Sequence, residues 1–328
     1  MKLFLTGGTG LLGANLIPIL LERGHEVVAM ARNPDSARKT FAQHAQVRWV
    51  PGDLDHIESI EGDVAGVDVL IHAAALFTDY YTSVATWRDF ERRNVDATGR
   101  LFRIAKRAAV KKGLFVSSIG ALADPHNQLQ DEQELSDDYR RSKVLGEKRL
   151  AADRELDGFP VIIVRPGFML GPNDPAPTVS GRMARDLVTK GSTLLPKGQP
   201  IPVVDPRDVA LGIVAAAEQT EGSTYFNFAA WPISADDAFR RIAKHIPGAR
   251  VKTAPLAMAE IGGRMMALKV KLFGGVNTMP VEGARFLARR LDVDGTKAVR
   301  ELGLTYRPFE ETARDTAEYW VNRVKSGL

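Results

Sequence analysis

The chain has 328 residues, 45% hydrophobic and 26% charged, which is the profile of an ordinary globular protein with one large domain and a smaller appendage. Lys and Arg total 44 against 40 Asp and Glu, and a formal charge of +4 spread along the chain gives no argument for nucleic acid. The absence of cysteine excludes disulfides, thiolate metal sites and a cysteine nucleophile, and fits a reducing, cytoplasmic compartment.

The opening MKLFLTGGTG reads as a strand entering a turn and not as a signal peptide, because glycines follow a very short apolar run. Apolar runs at 3–6, 26–30, 47–50, 67–73, 113–118 and 160–166 predict strands, and segments 11–23, 84–111 and 137–157 between them predict helices. Strands buried on both faces and separated by helices indicate an α/β fold with a Rossmann-type, doubly wound parallel sheet. Beyond Pro166 the pattern predicts a Pro/Gly-rich loop at 171–181, a helix near 181–190, an apolar run at 201–204, a helix over 206–219 and a strand at 225–229. From about residue 234 the chain reads as mostly helical. Residues 256–273 are apolar but carry Glu260, Arg264, Lys269 and Lys271, which predicts an amphipathic helix serving as core or pocket wall and not as a membrane anchor. No membrane span, internal repeat or low-complexity tail is visible, and both ends read as folded.

FLTGGTGLLGANL (4–16) spaces Gly7, Gly10 and Gly13 by threes at the first strand-to-helix turn. The pattern assigns a tight turn to Gly7, close backbone approach to a phosphate to Gly10 and helix–sheet packing to Gly13, with the helix N-terminus holding a pyrophosphate. A dinucleotide is the expected ligand. In DYRRSKVLGE (138–147), Tyr139 and Lys143 lie four residues apart and share a helix face. A fixed ammonium favours the phenolate, so the pair is a candidate general acid/base; an ordinary exposed pair fits the same spacing. His72 sits in an apolar strand with no metal partner or triad at useful spacing, so it reads as structural, and no metal is expected.

Together, TGGTGLLG and YRRSK resemble the TGxxGxxG and YxxxK motifs of the extended short-chain dehydrogenase/reductases, the NAD-dependent epimerase/dehydratase family. DVLIHAAA (68–75), NVDATGRLFRIA (94–105), FVSSIGAL (115–122), RPGFMLGP (165–172), PVVDPRDVALGIVAAAE (202–218) and the C-terminal LGLTYRPFEETARDTAEYW follow in the family's order. The similarity covers nearly the whole chain and is greatest to the dihydroflavonol-reductase-like branch. It implies Tyr139 as general acid/base, with Lys143 lowering its pKa and gripping the nicotinamide ribose. It implies that Ser118 hydrogen-bonds the substrate oxygen while Ser117 turns to the cofactor or the sheet, since alternation along a strand should let one serine face the site. Asn94 is placed near the active-site backbone, a helix cap being the other reading. Cofactor contacts are implied for Gly7, Thr9, Gly10, Leu11, Leu12 and Gly13 in the first turn, and for Arg32 after the second strand. Asp53 and Leu54 follow the third strand, Ala73, Ala74 and Ala75 the fourth. Val116 belongs to the fifth, and Pro166, Gly167 and Met169 to the end of the sixth.

The resemblance divides the chain into an NAD(P)-binding domain, 1–166, to whose sheet 201–228 returns, and a smaller, mostly helical substrate-binding region, 167–200 and 229–328. Ala31 stands where the family's ribose-binding aspartate would sit, and Arg32 follows it. Loss of the acid and gain of a guanidinium suit a 2′-phosphate, so NADP (NADPH) is the expected cofactor and NAD the alternative. The expected activity is NADPH-dependent reduction of a small-molecule ketone or aldehyde with a tyrosine as general acid. The competing readings are a nucleotide-sugar epimerase with retained NAD and an NAD(P)-sensing protein without catalysis. Ile119 and Gly120 occupy the positions of the carboxylates that a dehydratase needs, which disfavours dehydration. Candidate pocket walls are Phe77, Tyr80, Tyr81, Phe168, Met265 and Met266, and candidate diphosphate contacts are Arg182, Arg185 and Lys190. A two-fold homodimer through the 84–111 and 137–157 helices is expected, provided that acids such as Glu147 and Glu155 face the first helix's basic residues across the axis.

Overall fold

The computed structural model describes residues 1–77, 85–124, 126–273 and 281–327. Six strands form in the first half of the chain: β1 (Lys2–Thr6), β2 (Glu26–Ala31), β3 (Arg48–Pro51), β4 (Val69–His72), β5 (Lys112–Val116) and β6 (Val161–Pro166). Each coincides with a predicted apolar run. Six more follow: β7 (Phe168–Met169), β8 (Ser192–Pro196), β9 (Ile201–Val204), β10 (Thr224–Phe228), β11 (Trp231–Ile233) and β12 (Arg250–Ala254). The large sheet is parallel throughout, in the order β10-β6-β5-β4-β1-β2-β3. The strand order reverses between β1 and β4, and in a doubly wound sheet that switch point opens a crevice at the strands' carboxyl ends.

Side chains of one strand alternate between two apolar layers, which is why these runs are apolar at nearly every position. Leu3 and Leu5 pack with Leu16 and Ile17 of the helix Leu11–Glu22 and with Ile213 of the helix Pro206–Gln219. Phe4 points the other way, into a layer with Leu101, Phe102 and Leu150. Each such side chain stabilises the fold by roughly 1.5–3 kcal/mol. A third cluster, around Phe239, Leu287 and Trp320, forms the core of the C-terminal region.

Of the segment 201–228, only the helix Pro206–Gln219 and β10 return to the large sheet. β9 pairs instead with β7 and β11 in a separate three-stranded sheet. β8 and β12, which the sequence reading leaves unassigned, pair with each other. The helix Leu256–Phe273 forms as predicted and packs one side on the helix Val281–Ala288, but it is not a pocket wall: Met265 is 68% exposed, and neither it nor Met266 reaches the cavity described below. Among the described residues no helix is long and apolar enough to cross a membrane.

The helix Ala97–Arg107 spends its apolar residues inside the subunit, with Leu101, Phe102, Ile104 and Ala105 buried. Its charges are matched within the chain: Arg100 with Glu58, Arg103 with Asp153 and Glu155, Arg107 with Glu61. Glu147 does not face outward either. It is buried against Arg165, because the helix Asp138–Ala152 turns that side toward β6.

Candidate active site

A cavity of about 450 Å³ runs along the carboxyl ends of the parallel strands, over the switch point. Gly7, Thr9, Gly10, Leu11 and Leu12 from the turn after β1 line one side. Gly7 has φ +79°, and a Cβ there would lie 2.7 Å from the Ala73 carbonyl carbon. Gly13 is not in the wall; a Cβ on it would meet Gly7 O at 2.4 Å, so it lets the helix pack on the turn, as its spacing predicts. No side chain caps the helix Leu11–Glu22. The first-turn amides around Leu11 and Leu12 are therefore left for an anion, which fits a pyrophosphate.

Ala31, Arg32, Asp53, Leu54, Ala73, Ala74 and Ala75 continue the wall. Two arginines line this part, and they differ. Arg93 is held by Asp55, with Nε and Nη2 both near Oδ2 at 2.9 and 2.7 Å, and that guanidinium holds the Asp55 carboxyl well below the usual carboxylate range. Arg32 is exposed and makes no ion pair among the described residues. The Asp55–Arg93 pair escapes sequence reading because its partners lie 38 positions apart.

Val116, Ser117, Ser118, Tyr139, Lys143, Pro166, Gly167 and Met169 line the far part of the cavity. Both residues touch the wall, but the Ser117 hydroxyl is buried. β5 ends at Val116, and Ser118 caps the short helical turn Ile119–Ala121. Ser118 Oγ accepts from the Gly120 amide at 3.0 Å, which leaves its own proton free to donate. Ser117 is 3% exposed, and its hydroxyl has no hydrogen-bond partner within the protein.

Asp137 caps the helix Asp138–Ala152 and so fixes where Tyr139 and Lys143 emerge. Lys143 Nζ donates to Val116 O at 2.8 Å and lies 5.6 Å from the Tyr139 ring centre. Burial lowers the Lys143 pKa to about 8, although Glu147 opposes the shift. Tyr139 moves opposite to the sequence expectation. Burial, reinforced by the Asp137 carboxylate, raises the phenol well above its ordinary value, and these two effects outweigh any help from the ammonium. At neutral pH Tyr139 is therefore a proton donor.

Asn94 does not line the cavity. It lies in a π-helical stretch, Glu91–Asp96, inside the long predicted helix. Its Oδ1 accepts from Leu76 N at 2.7 Å, and its Nδ2 donates to Leu76 O and to Ser142 Oγ. Ser142 in turn donates to Tyr139 O at 2.7 Å. Asn94 thus ties the loop after β4 to the first turn carrying Tyr139. His72 supports the same corner. Thr6 Oγ1 accepts from Ala74 N and so donates to His72 Nδ1; Thr98 Oγ1 donates to Asn94 O and so accepts from His72 Nε2. Burial drives the ring's pKa down to about 3, which keeps it neutral in this structural role.

Beyond Tyr139 the cavity wall is mostly apolar, with Leu76, Phe77, Ile119, Phe168, Met183 and Phe286, and carries polar groups at Asp137, Arg140, Thr178 and Ser180. The Phe77 ring lies 4.7 Å from that of Tyr139. Arg182, Arg185 and Lys190 are not in the wall, so the expected diphosphate contacts do not form there. Tyr80 and Tyr81 fall outside the described residues. Among the described residues no group of three or more His, Cys, Asp or Glu could hold a metal.

A glycine turn at the switch point of a parallel sheet, facing a Tyr/Lys helix, places the chain among NAD(P)-dependent enzymes of the extended short-chain dehydrogenase/reductase type. The chain belongs to the NAD dependent epimerase/dehydratase family, whose model matches residues 3–229. It is 28% identical to a Synechocystis protein named "Putative dihydroflavonol 4-reductase", over 97% of this chain and 94% of that one. It is 36% identical to the 4-hydroxy-2-methyl-3-oxo-4-farnesyl-3,4-dihydroquinoline-1-oxide ketoreductase of Stigmatella aurantiaca, over 54% of this chain and 52% of the relative. The fold matches UDP-glucose 4-epimerase from Bifidobacterium longum with a TM-score of 0.74 at 18% identity, over the full length of both chains.

Proposed function

We propose that the protein is an NADPH-dependent reductase of an apolar ketone or aldehyde. The observation that carries this reading is a proton-donating Tyr139 and a free Ser118 hydroxyl placed on a cavity whose remaining wall is mostly apolar. When bound, the cofactor supplies a hydride to the carbonyl carbon. Tyr139 transfers its phenolic proton to the carbonyl oxygen, and Ser118 donates a hydrogen bond to that oxygen as its charge grows. Lys143, buried behind the tyrosine, stabilises the phenolate that remains. The names of the two relatives, a dihydroflavonol reductase and a ketoreductase with a farnesyl-bearing substrate, support reduction of an apolar carbonyl. The epimerase reading calls for a nucleotide diphosphate; Arg182, Arg185 and Lys190, read for it, lie outside the wall, and Arg140, which lines it, is engaged by Gly120 O and Gln130 Oε1.

With NADPH, kcat/KM over a series of ketones should rise about fourfold per methylene added until the apolar walls are filled. Turnover of a UDP-hexose with no net change in the cofactor's redox state would overturn the proposal.

Arg32 is proposed to bind the 2′-phosphate, because its charge is unspent while that of Arg93 is taken by Asp55. Arg32→Ala should weaken NADPH binding by about tenfold or more, the scale of a charged hydrogen bond, and leave NADH nearly untouched. Titration of both cofactors checks this; equal losses would remove Arg32 from the phosphate.

A further inference from the structure

The helix Leu256–Phe273 carries two apolar stripes. Ala259, Gly263, Met266 and Val270 form one, which faces inward: Ala259 is 5% exposed, and the helix packs on the helix Val281–Ala288. Met258, Ile261, Met265, Leu268 and Leu272 form the other, and each is between 57% and 68% exposed. At about 100° per residue the stripes lie on opposite sides of the helix. Hiding the first on the protein therefore leaves the second in water, and an exposed apolar row of this length marks a contact surface.

Charge decides what covers it. On the same wheel Lys269 borders one side of the outer stripe, and Arg264 borders the other. The helix holds three basic residues against one acid, Glu260, and Glu260 is already engaged by Arg285 at 2.7 Å. A second copy laid on this face would bring its own excess of positive charge. An apolar row flanked on both sides by Lys and Arg instead matches the headgroup boundary of an anionic bilayer, where long basic side chains reach the phosphates while the row enters the acyl region. We propose that this helix docks the protein on an anionic lipid surface, lying in the plane of the interface. Gly283 and Phe286 of the neighbouring helix line the cavity, so docking would set that wall close to the lipid. This last step rests on the apolar-substrate reading; the docking does not.

Flotation of the full chain with vesicles tests the proposal. At low salt it should float with phosphatidylglycerol/phosphatidylcholine vesicles and largely stay behind with phosphatidylcholine alone. Arg264→Ala and Lys269→Ala should each weaken binding about fivefold. The double variant Met265→Asp/Leu268→Asp should stop floating yet keep full turnover of a water-soluble carbonyl substrate, since neither residue reaches the cavity. The proposal fails if the wild type floats with neither vesicle, or if the double variant floats as the wild type does. It also fails if light scattering shows a two-chain assembly that this variant dissolves while vesicles bind nothing. Loss of turnover with docking intact would count against the reductase reading alone.

Discussion

Tyr139→Phe should lower kcat by about 10²–10⁴-fold while leaving NADPH affinity within about twofold of wild type, because only the transferable proton is removed. The ring keeps its place: Phe77 packs against it at 4.7 Å, and the residue's backbone carbonyl still accepts from Ser142. The wild-type pH profile supplies a second readout. Lys143 has its pKa lowered to about 8, so the ammonium is present below that pH and is lost as pH rises through it. Tyr139, raised above its ordinary value, stays protonated throughout. Reduction should therefore fall along an alkaline limb near pH 8 set by the lysine and not by the phenol. Steady-state kinetics with a turned-over ketone decides both points, and a phenylalanine variant with more than a few per cent of wild-type kcat would sink the assignment.

The parts of this molecule that were legible in the sequence depend on short-range periodicity. The six strands of the first half announced themselves because a strand buried on both faces must be apolar at consecutive positions. Gly7 and Gly13 were readable because their duties are backbone duties, a left-handed turn and a contact that a Cβ would close. The serine pair needs more than periodicity, because alternation holds only while the strand lasts, β5 stops one residue earlier, and the Ser117 hydroxyl is buried at that end. The direction of the Tyr139 shift was equally hidden. Spacing shows that Lys143 is near, but not that burial and Asp137 oppose it. The 256–273 segment was amphipathic twice over, and sequence alone does not say which of two stripes meets the protein. Asn94 was found by position, yet its work, tying Leu76 to Ser142, depends on contacts 18 and 48 residues away.

Arg165→Met should destabilise the fold by about 3–5 kcal/mol, since it strands a buried carboxylate. Arg165 and Glu147 are each 5% exposed, and the guanidinium Nε lies 2.9 and 3.2 Å from the two carboxylate oxygens. The same carboxylate sits one helical turn after Lys143 and raises the lysine's pKa against the effect of burial. Removing Arg165 leaves Glu147 with Lys143 as its nearest cationic neighbour on the helix. The lysine's pKa should then rise, carrying the alkaline limb of activity to higher pH. Glu147→Met/Arg165→Met removes both charges and should recover most of the lost stability, because an apolar pair of similar volume costs no desolvation. Its alkaline limb should move the other way, below that of the wild type, with the carboxylate gone. Urea unfolding and pH–rate profiles on the three proteins measure these effects separately. A single variant within about 1 kcal/mol of wild type would show that water or another group already satisfies Glu147. Identical alkaline limbs in all three would mean that the pair supports the sheet but does not tune the lysine.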